Sequence, residues 1–279
     1  MDNNYSLHTD TFCTEWEAEL RLGFVYRANK TVMAHCEHRG PLTVQRPFYP
    51  EDKLCHVYLL HPPGGVVAGD RLNIAINVDE NAQVLITTPA AGKFYRSVGK
   101  TATQTVSLTV AEQASLEWLP QETLLFEGAQ LDSSCCINLG DNSTFIGWEV
   151  LILGRPAADE GFTQGFASLH WQIRRGGRLH YHERINLDAQ AFTANWGLQN
   201  NASFGTLFAC PVNSHQLSLV QDLIAEQPGR GVTLLDDLLI CRALDQRADK
   251  LRAFFEQVRD VLRTELIGQK SCNPRIWAT

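Results

Sequence analysis

Two glutamates interrupt otherwise apolar strand-like segments, and they are the side chains in this chain best placed for chemistry. Glu149 lies within residues 146–153, a segment whose two strand faces are both apolar. Glu183 shares one strand face with Tyr181 and Ile185, because successive side chains of a strand point to opposite faces. An unpaired carboxylate is costly to bury. We therefore expect each glutamate to find a partner, to stay protonated or to line a hydrated cavity.

The residues alone leave a structural and a functional interpretation of these carboxylates open. In the structural interpretation each glutamate pairs with an arginine, and Arg155, Arg174 and Arg184 are the candidates. The functional interpretation rests on the frequency of buried titratable groups in binding and catalytic sites, a property that structural ion pairs share.

Imidazole and thiol groups form two further candidate ligand sets. Residues 35–38 read His-Cys-Glu-His, and His180 and His182 are predicted to lie on one face of a strand. Neither set offers three or four ligands at a spacing typical of zinc sites. Solvent-facing strand histidines are the simpler interpretation, and a transient nickel site is the alternative, because imidazole suits Ni(II).

A glycine-rich segment, HPPGGVVAGD at residues 61–70, joins two strand-like segments. A phosphate-binding loop would open a helix instead, and the Walker pattern fails because Gly92-Lys93 is followed by Phe94. We predict a tight connection whose glycines adopt positive φ, with Asp70 either presented by the loop or capping its turn. The chain contains no G-x-S-x-G or H-E-x-x-H sequence, so its local motifs do not require an enzyme.

Composition narrows the class of protein. The 279 residues carry 24 Lys and Arg against 31 Asp and Glu, a net charge of −7, which argues against nucleic acid or an anionic membrane surface as the main partner. No apolar run reaches the ~18 residues that cross a bilayer, and residues 1–5 have no signal-peptide character. The eight cysteines include no C-x-x-C pair, so we expect reduced thiols in a cytoplasmic protein.

The elements that would position these groups are mostly strands. Alternating apolar residues and turn signals predict strands near residues 16–22, 31–36, 42–46, 55–60, 71–78, 83–88, 101–110, 114–119, 131–139, 144–153, 166–174, 178–187, 202–209 and 237–244. Helical spacing predicts two late helices, over 214–226 and 246–267. In the second helix, Phe254, Phe255 and Val258 are expected to be buried and the charged face to be in solvent. The absence of a repeat or linker favours a single domain over residues 1–279.

Several segments together resemble the urease accessory protein UreD (UreH) family. They occur in family order over nearly the whole chain: Trp16-x-Ala18-x-Leu20-x-Leu22, HPPGGVVAGD at 61–70, TTPAAGKFYRS at 87–97, LEWLPQE at 116–122 continuing into FEGA at 126–129, and PRIW at 274–277. Each segment is a weak signal by itself, and the combination is specific.

The resemblance implies a function that composition does not reveal. Proteins similar to UreD are not enzymes; they form a chaperone complex with UreF and the GTPase UreG that docks on urease apoprotein and assembles its nickel centre. UreE-like metallochaperones supply the nickel upstream. The resemblance also implies a mainly β fold of β-helical stacked sheets with two helices in the C-terminal half.

A water-filled internal path for nickel is a further implication of the resemblance. We hypothesise that Glu149 and Glu183 face this hydrated interior and help to pass nickel toward the apoprotein, with Asp70 at a mouth, and that nickel passes through without a permanently bound cofactor. Two alternatives stay open: a structural β scaffold that bridges partners without handling metal, and a hydrolase or lyase with a noncontiguous active site.

Overall fold

The computed structural model describes residues 16–225 and 227–278. Residues 1–5, on which the expectation about secretion depends, lie outside the described residues, as does Glu226, the last residue of the first predicted helix. No helix in the described ranges is both long enough and apolar enough to span a lipid bilayer.

The described residues form eighteen strands, numbered here in chain order. The first nine are β1 (Glu17–Arg27), β2 (Lys30–Arg39), β3 (Thr43–Val44), β4 (Phe48–Glu51), β5 (Leu54–Leu60), β6 (Arg71–Val78), β7 (Gln83–Thr87), β8 (Gly92–Phe94) and β9 (Ala102–Val110). The other nine are β10 (Ser115–Leu119), β11 (Thr123–Leu125), β12 (Gln130–Leu139), β13 (Thr144–Leu153), β14 (Phe166–Arg175), β15 (Arg178–Leu187), β16 (Ser203–Cys210), β17 (Arg230–Leu235) and β18 (Leu238–Asp245).

The first sheet has seven strands in the order β15-β14-β12-β9-β6-β1-β2. The five central strands, β1, β6, β9, β12 and β14, run parallel to one another. Strands β2 and β15 lie at the two edges and are antiparallel to their neighbours. One inward position of each parallel strand falls in register, giving a buried ladder of Leu22, Ile76, Leu108, Ile137 and Ile173. The period-2 alternation of the sequence thus places one apolar face of this sheet inward.

The second sheet has the order β17-β18-β16-β13-β10-β7-β5-β3. Its strands β5, β7, β10 and β13 are parallel, whereas β16, β18 and β17 extend it as antiparallel strands. Two three-residue strands lie outside the main order: β11 pairs with the end of β13, and β8 pairs with β11. They were not predicted, because three residues are too few to show alternation.

The chain passes repeatedly from one sheet to the other, through β6, β7 and β8, then β9, β10 and β11, then β12 and β13. Each pass stacks in parallel on the one before it, which is the arrangement of a β-helix. The prediction of β-helical stacked sheets is confirmed. The space between the sheets holds the larger hydrophobic core, and the outer face of the second sheet holds another.

The described residues also form three α-helices, α1 (Ala189–Thr193), α2 (Ser214–Ile224) and α3 (Ala248–Ile267), and two short 3-10 helices, Pro156–Ala158 and Arg275–Ala278. Helices α2 and α3 confirm the two that were predicted, and the single-turn α1 was missed because it is too short to show helical periodicity. Asn213 and Gln216 form a reciprocal capping box at the start of α2. Helix α3 ends at Gly268, which adopts a φ of 72°.

Helix α3 packs against the outer face of the second sheet. Phe254, Phe255 and Val258 are buried there, as predicted. The expectation that its charged face would be in solvent is wrong for Arg259 and Arg263, both of which are 0% exposed. These arginines are buried because strand β10 places a carboxylate beneath them, as described below.

Candidate functional site

A cavity of about 180 Å³ is lined by residues of both sheets and of two loops. The loops carry the glycine-rich segment at 61–65 and the segment at 88–92, while the strands contribute Cys135, Glu149 and Trp171 among others. Most of its wall is apolar, with few polar groups, which is the usual character of a ligand-accessible cavity.

Glu149 is the carboxylate of this cavity wall. On β13 it occupies the same face as Phe145 and Leu151, which belong to the core between the sheets. The indole Nε1 of Trp171 on β14 donates a hydrogen bond of 2.9 Å to its Oε2. Burial raises the pKa of Glu149 from 4.5 to about 7; the Trp171 hydrogen bond opposes that rise and the nearby charge of Glu183 adds to it.

No arginine or lysine forms an ion pair with Glu149 within the described residues. The predicted alternative of an arginine pair therefore does not apply to this residue. The neighbouring thiol of Cys135 also stays protonated, because burial raises its pKa well above the ordinary value and Glu149 adds to the rise. The cavity thus contains a carboxyl group that neutral pH leaves close to half ionised, which suits weak and reversible cation binding.

Glu183 has a different environment from Glu149. On β15 it forms an ion pair with Arg242 of β18, which also donates a hydrogen bond of 3.0 Å to the hydroxyl of Tyr181. The predicted partners Arg155, Arg174 and Arg184 are wrong, because the partner comes from the facing sheet. Glu183 is nevertheless close enough to raise the pKa of Glu149, although it is not among the residues that line the cavity.

Asp70 caps the turn that ends the glycine-rich loop. Its Oδ1 accepts a hydrogen bond from the backbone N–H of Trp16 at 3.1 Å, and its Oδ2 accepts one from Val67 at 3.0 Å. Asp70 is buried and is not among the residues that line the cavity. Of its two predicted roles, the geometry supports the turn cap.

The glycines of this loop have two different functions. Gly69 adopts the predicted positive φ, at 86°. Gly65 does not; a Cβ there would lie 2.5 Å from the Tyr95 ring and 2.8 Å from the carbonyl oxygen of Lys93. Gly65 is therefore required for close approach to β8, where Val66 donates a backbone hydrogen bond of 2.7 Å to the same carbonyl.

His61, at the start of the loop, is a cavity residue that sequence reasoning did not select. It lines the cavity together with Gly64 and Gly65. Burial lowers its pKa, and the nearby carboxylate of Asp70 partly opposes this. A neutral imidazole is the form that binds metal ions.

The structure does not assemble the other predicted ligand sets. His35 and Glu37 alternate with Cys36 and His38 along the exposed strand β2, so the four do not converge. A register shift in the pairing of β14 with β15 separates His180 from His182, which were predicted to share a face.

Each of the two histidines has its own partner. The Nε2 atom of His182 lies 2.7 Å from that of His170. The Nε2 atom of His180 lies 3.1 Å from an oxygen of Asp237.

A buried ionic cluster between β10 and α3 was also missed. Glu117 is 0% exposed, and it accepts hydrogen bonds from Arg259 at 2.7 Å and from Arg263 at 3.0 Å. Arg263 also donates a hydrogen bond to Glu51, and the carboxylate of Glu51 lies 2.7 Å from Nε2 of His56. The signal was available, since Glu117 interrupts an apolar strand just as Glu149 does.

Comparison with known proteins gives a consistent result. A family model described as UreD urease accessory protein matches residues 17–278. A protein of Marinomonas sp. (strain MWYL1) named urease accessory protein UreD is 40% identical over 291 aligned positions, which cover 98% of this chain and 93% of that protein.

Relatives from other bacteria agree with this match. Proteins of the same name from Pseudomonas putida (strain GB-1) and Citrobacter koseri (strain ATCC BAA-895) are 39% and 40% identical, covering 95% and 96% of this chain and 95% and 94% of their own lengths.

Proposed function

Because the chain belongs to the UreD urease accessory protein family, we propose that it is a maturation factor for GTP-dependent incorporation of nickel into urease. In this proposal it acts in the cytoplasm in a chaperone complex with UreF and UreG. The complex docks on urease apoprotein, and UreE donates the nickel upstream. The relatives are named as accessory proteins and not as enzymes, and this chain is accordingly a non-enzymatic factor.

The observation that carries the nickel step is the position of Glu149 in the cavity wall. Its carboxylate is enclosed by both sheets, held by one indole N–H and free of an arginine partner among the described residues. A carboxylate oxygen is a suitable ligand for a divalent cation, and a single one binds weakly enough to release it. Conduction through ion channels depends on the same balance between binding and release.

Groups on either side of Glu149 would act in sequence in this proposal. Glu183 does not line the cavity, but its charge acts on Glu149 and the side chain of its partner Arg242 is 46% exposed, so the proposal puts this pair at the solvent end of the route. His61 and the glycine-rich loop line another part of the cavity. Nickel would pass from a carboxylate–arginine pair to Glu149 and then to an imidazole. Asp70 supports this route by holding the loop rather than by binding the ion.

Co-expression of urease with its accessory set and with variants of this chain tests the proposal. Glu149→Gln keeps the shape of the side chain and removes its charge, so we expect the partner complex to form normally and the nickel content and urea hydrolysis of urease to fall. Glu37→Gln, on the exposed strand β2, is the matched control and should activate urease as the parent does.

Substitution of the two glutamates also distinguishes the proposal from the scaffold alternative. A purely structural bridge between partners would tolerate Glu149→Gln, because the fold and the complex would be intact. Full activation of urease by both Glu149→Gln and Glu183→Gln would show that the carboxylates do not handle nickel. Omission of the whole chain should abolish activation in either case.

A further inference from the structure

Three potential metal ligands converge at one end of the two sheets, on residues that the nickel route does not use. His180 belongs to β15 of the first sheet, Cys210 ends β16 of the second sheet, and Asp237 lies in the turn between β17 and β18. One donor atom from each lies within 4.8 Å of the other two. An imidazole, a thiol and a carboxylate from three separate segments thus meet at one point.

The separations of these atoms fit a particular coordination geometry. The Nε2 atom of His180 lies 3.1 Å from Oδ1 of Asp237, and the Sγ atom of Cys210 lies 3.7 Å from the same oxygen. With ordinary zinc bond lengths, tetrahedral angles predict separations of about 3.3 Å and about 3.6 Å. Right angles, as in an octahedral site with those bond lengths, predict about 2.9 Å and about 3.1 Å. The sulfur–oxygen distance of 3.7 Å agrees with the tetrahedral value, and the nitrogen–oxygen distance of 3.1 Å lies midway between the two values.

The imidazole nitrogen gives a second and independent indication. The Nε2 atom of His180 is buried and makes no hydrogen bond within the described residues, although it lies 3.1 Å from the carboxylate oxygen. Buried polar nitrogens are usually hydrogen-bonded. A nitrogen and an oxygen that approach closely without a hydrogen bond are arranged as two ligands of a common cation would be.

The surroundings of the cluster are also those of a metal site. Arg175 donates to the other carboxylate oxygen of Asp237, Oδ2, to the Sγ atom of Cys210 at 2.8 Å and to the backbone oxygen of Asp141. It thereby orients the carboxylate and leaves Oδ1 directed at His180 and Cys210, which is the supporting role that residues around metal ligands play. The side chain of Asp237 is 38% exposed, so an ion can arrive from solvent and a water molecule can complete its coordination.

We infer that His180, Cys210 and Asp237 form a zinc site that is separate from the nickel route and joins the ends of the two sheets. A tetrahedral site with nitrogen and thiolate ligands is typical of zinc, whereas harder or six-coordinate ions prefer other ligand sets. When the sulfur–zinc bond forms, the thiol proton of Cys210 is released to solvent. Because the ligands come from both sheets, bound zinc stabilises the folded chain.

Metal titration of the full-length, tag-free chain tests this site. After treatment with a chelator, the protein is titrated with Zn(II) in competition with a chromophoric chelator, and with Co(II) as a spectroscopic substitute. We expect a single zinc ion per chain, a thermal midpoint that rises with zinc, and a cobalt spectrum with a thiolate charge-transfer band and the intense visible bands of a tetrahedral site.

Single substitutions then assign the ligands. Cys210→Ser, His180→Ala and Asp237→Asn should each weaken zinc binding by at least the ~10–100-fold that loss of a supporting group costs at metal sites. Cys210→Ser should also remove the charge-transfer band. Cys241→Ser, a buried cysteine of β18, and Cys272→Ser, from the cluster with Glu51 and His56, are the controls and should retain zinc. Glu149→Gln should retain it as well, which separates this site from the nickel route.

Three results would overturn the inference. The first is a parent chain that binds no zinc or gives a cobalt spectrum without a thiolate band, a result that does not depend on the folding of any variant. The second is zinc binding that is lost in Cys272→Ser but retained in Cys210→Ser. The third is bound Ni(II) that an equal concentration of zinc does not displace, which would make this a nickel site instead.

Discussion

The indole of Trp171 on the first sheet donates a hydrogen bond of 2.9 Å to the carboxylate of Glu149 on the second sheet. This contact crosses the interior of the β-helix. It holds the one carboxylate that strand β13 contributes to the lining of the cavity. It has two consequences. The carboxylate is held in one orientation by a neutral donor, and its charge is left available because no cation neutralises it within the described ranges.

We predict that the chain does not hydrolyse GTP or ATP. Gly92 and Lys93 lie in the short strand β8 and do not open a helix, so they cannot cradle phosphates as a glycine-rich loop before a helix does. Phosphate release by the purified chain should equal that of a buffer blank. Saturable release that the substitution Lys93→Ala abolishes would contradict this prediction.

Substitution of Phe254 tests the packing of helix α3. The side chain is 2% exposed, so Phe254→Ala should lower the free energy of unfolding by about 3–5 kcal/mol. Urea denaturation measures the change. Phe166→Ala, at a position that is 41% exposed, is the control and should have a much smaller effect; equal effects would mean that α3 does not pack as described.

The buried ionic cluster predicts a large effect from a small change. Glu117→Gln would leave Arg259 and Arg263 without their shared carboxylate in a fully buried position. Removal of one partner of a buried ion pair destabilises by about 3–5 kcal/mol, and chemical denaturation should show a loss of that size. Asp249→Asn, which breaks the exposed pair of Asp249 with Arg247 in the first turn of α3, should lower stability by only about 1 kcal/mol or less. A similar response of both variants would contradict the buried cluster.

The sequence predicted the long strands and the two long helices because their apolar periodicity extends over many residues. Strand β6, for example, has the predicted bounds, Arg71–Val78. The short strands β8 and β11 were not predicted. Their extended conformation depends on pairing with parallel neighbouring strands and not on a pattern in their own residues. The edge strand β17 escaped as well, since it is short, contains Gly231 and ends in two adjacent leucines that break the alternation.

The candidate site was predictable only where one residue carried the signal by itself. Glu149 stands out as an acid in an apolar strand, and the structure does place it in the cavity wall. The partner of Glu183 could not be predicted, because Arg242 is 59 positions further along the chain and belongs to the other sheet. Glu117 also stands out as an acid in an apolar strand, as Glu149 does. It does not line the cavity, however, because two arginines of helix α3 form ion pairs with it.

The pKa of Glu149 predicts how stability depends on pH. In the folded chain burial raises this pKa from 4.5 to about 7, so the folded state retains a proton that the unfolded state releases between these values. Stability therefore falls as pH rises from about 4.5 to about 7 and is lowered by a constant amount above that range, by ~3 kcal/mol at most. Glu149→Gln lacks the titrating group and should gain stability relative to the parent over the same interval.

Denaturation of parent and Glu149→Gln at pH 5 and pH 8 measures this difference. The stability of the variant minus that of the parent should be larger at pH 8. Glu183→Gln gives a useful contrast, because it removes the partner of Arg242 and should be destabilising at both pH values. An equal difference at the two pH values for Glu149→Gln would mean that its carboxyl group titrates normally.

The hydrogen bond from Trp171 should be worth most when Glu149 is ionised. Trp171→Phe keeps an aromatic ring against Phe208, whose centroid lies 4.7 Å from that of Trp171, but removes the N–H donor. A hydrogen bond to a charged group contributes ~1.5–3 kcal/mol, against ~1 kcal/mol for a neutral pair. The variant should therefore lose more stability at pH 8, where Glu149 is largely ionised, than at pH 5, where it is protonated. A double-mutant cycle with Glu149→Gln isolates the pair, and a coupling free energy that is the same at both pH values would show that the indole does not stabilise the charged carboxylate.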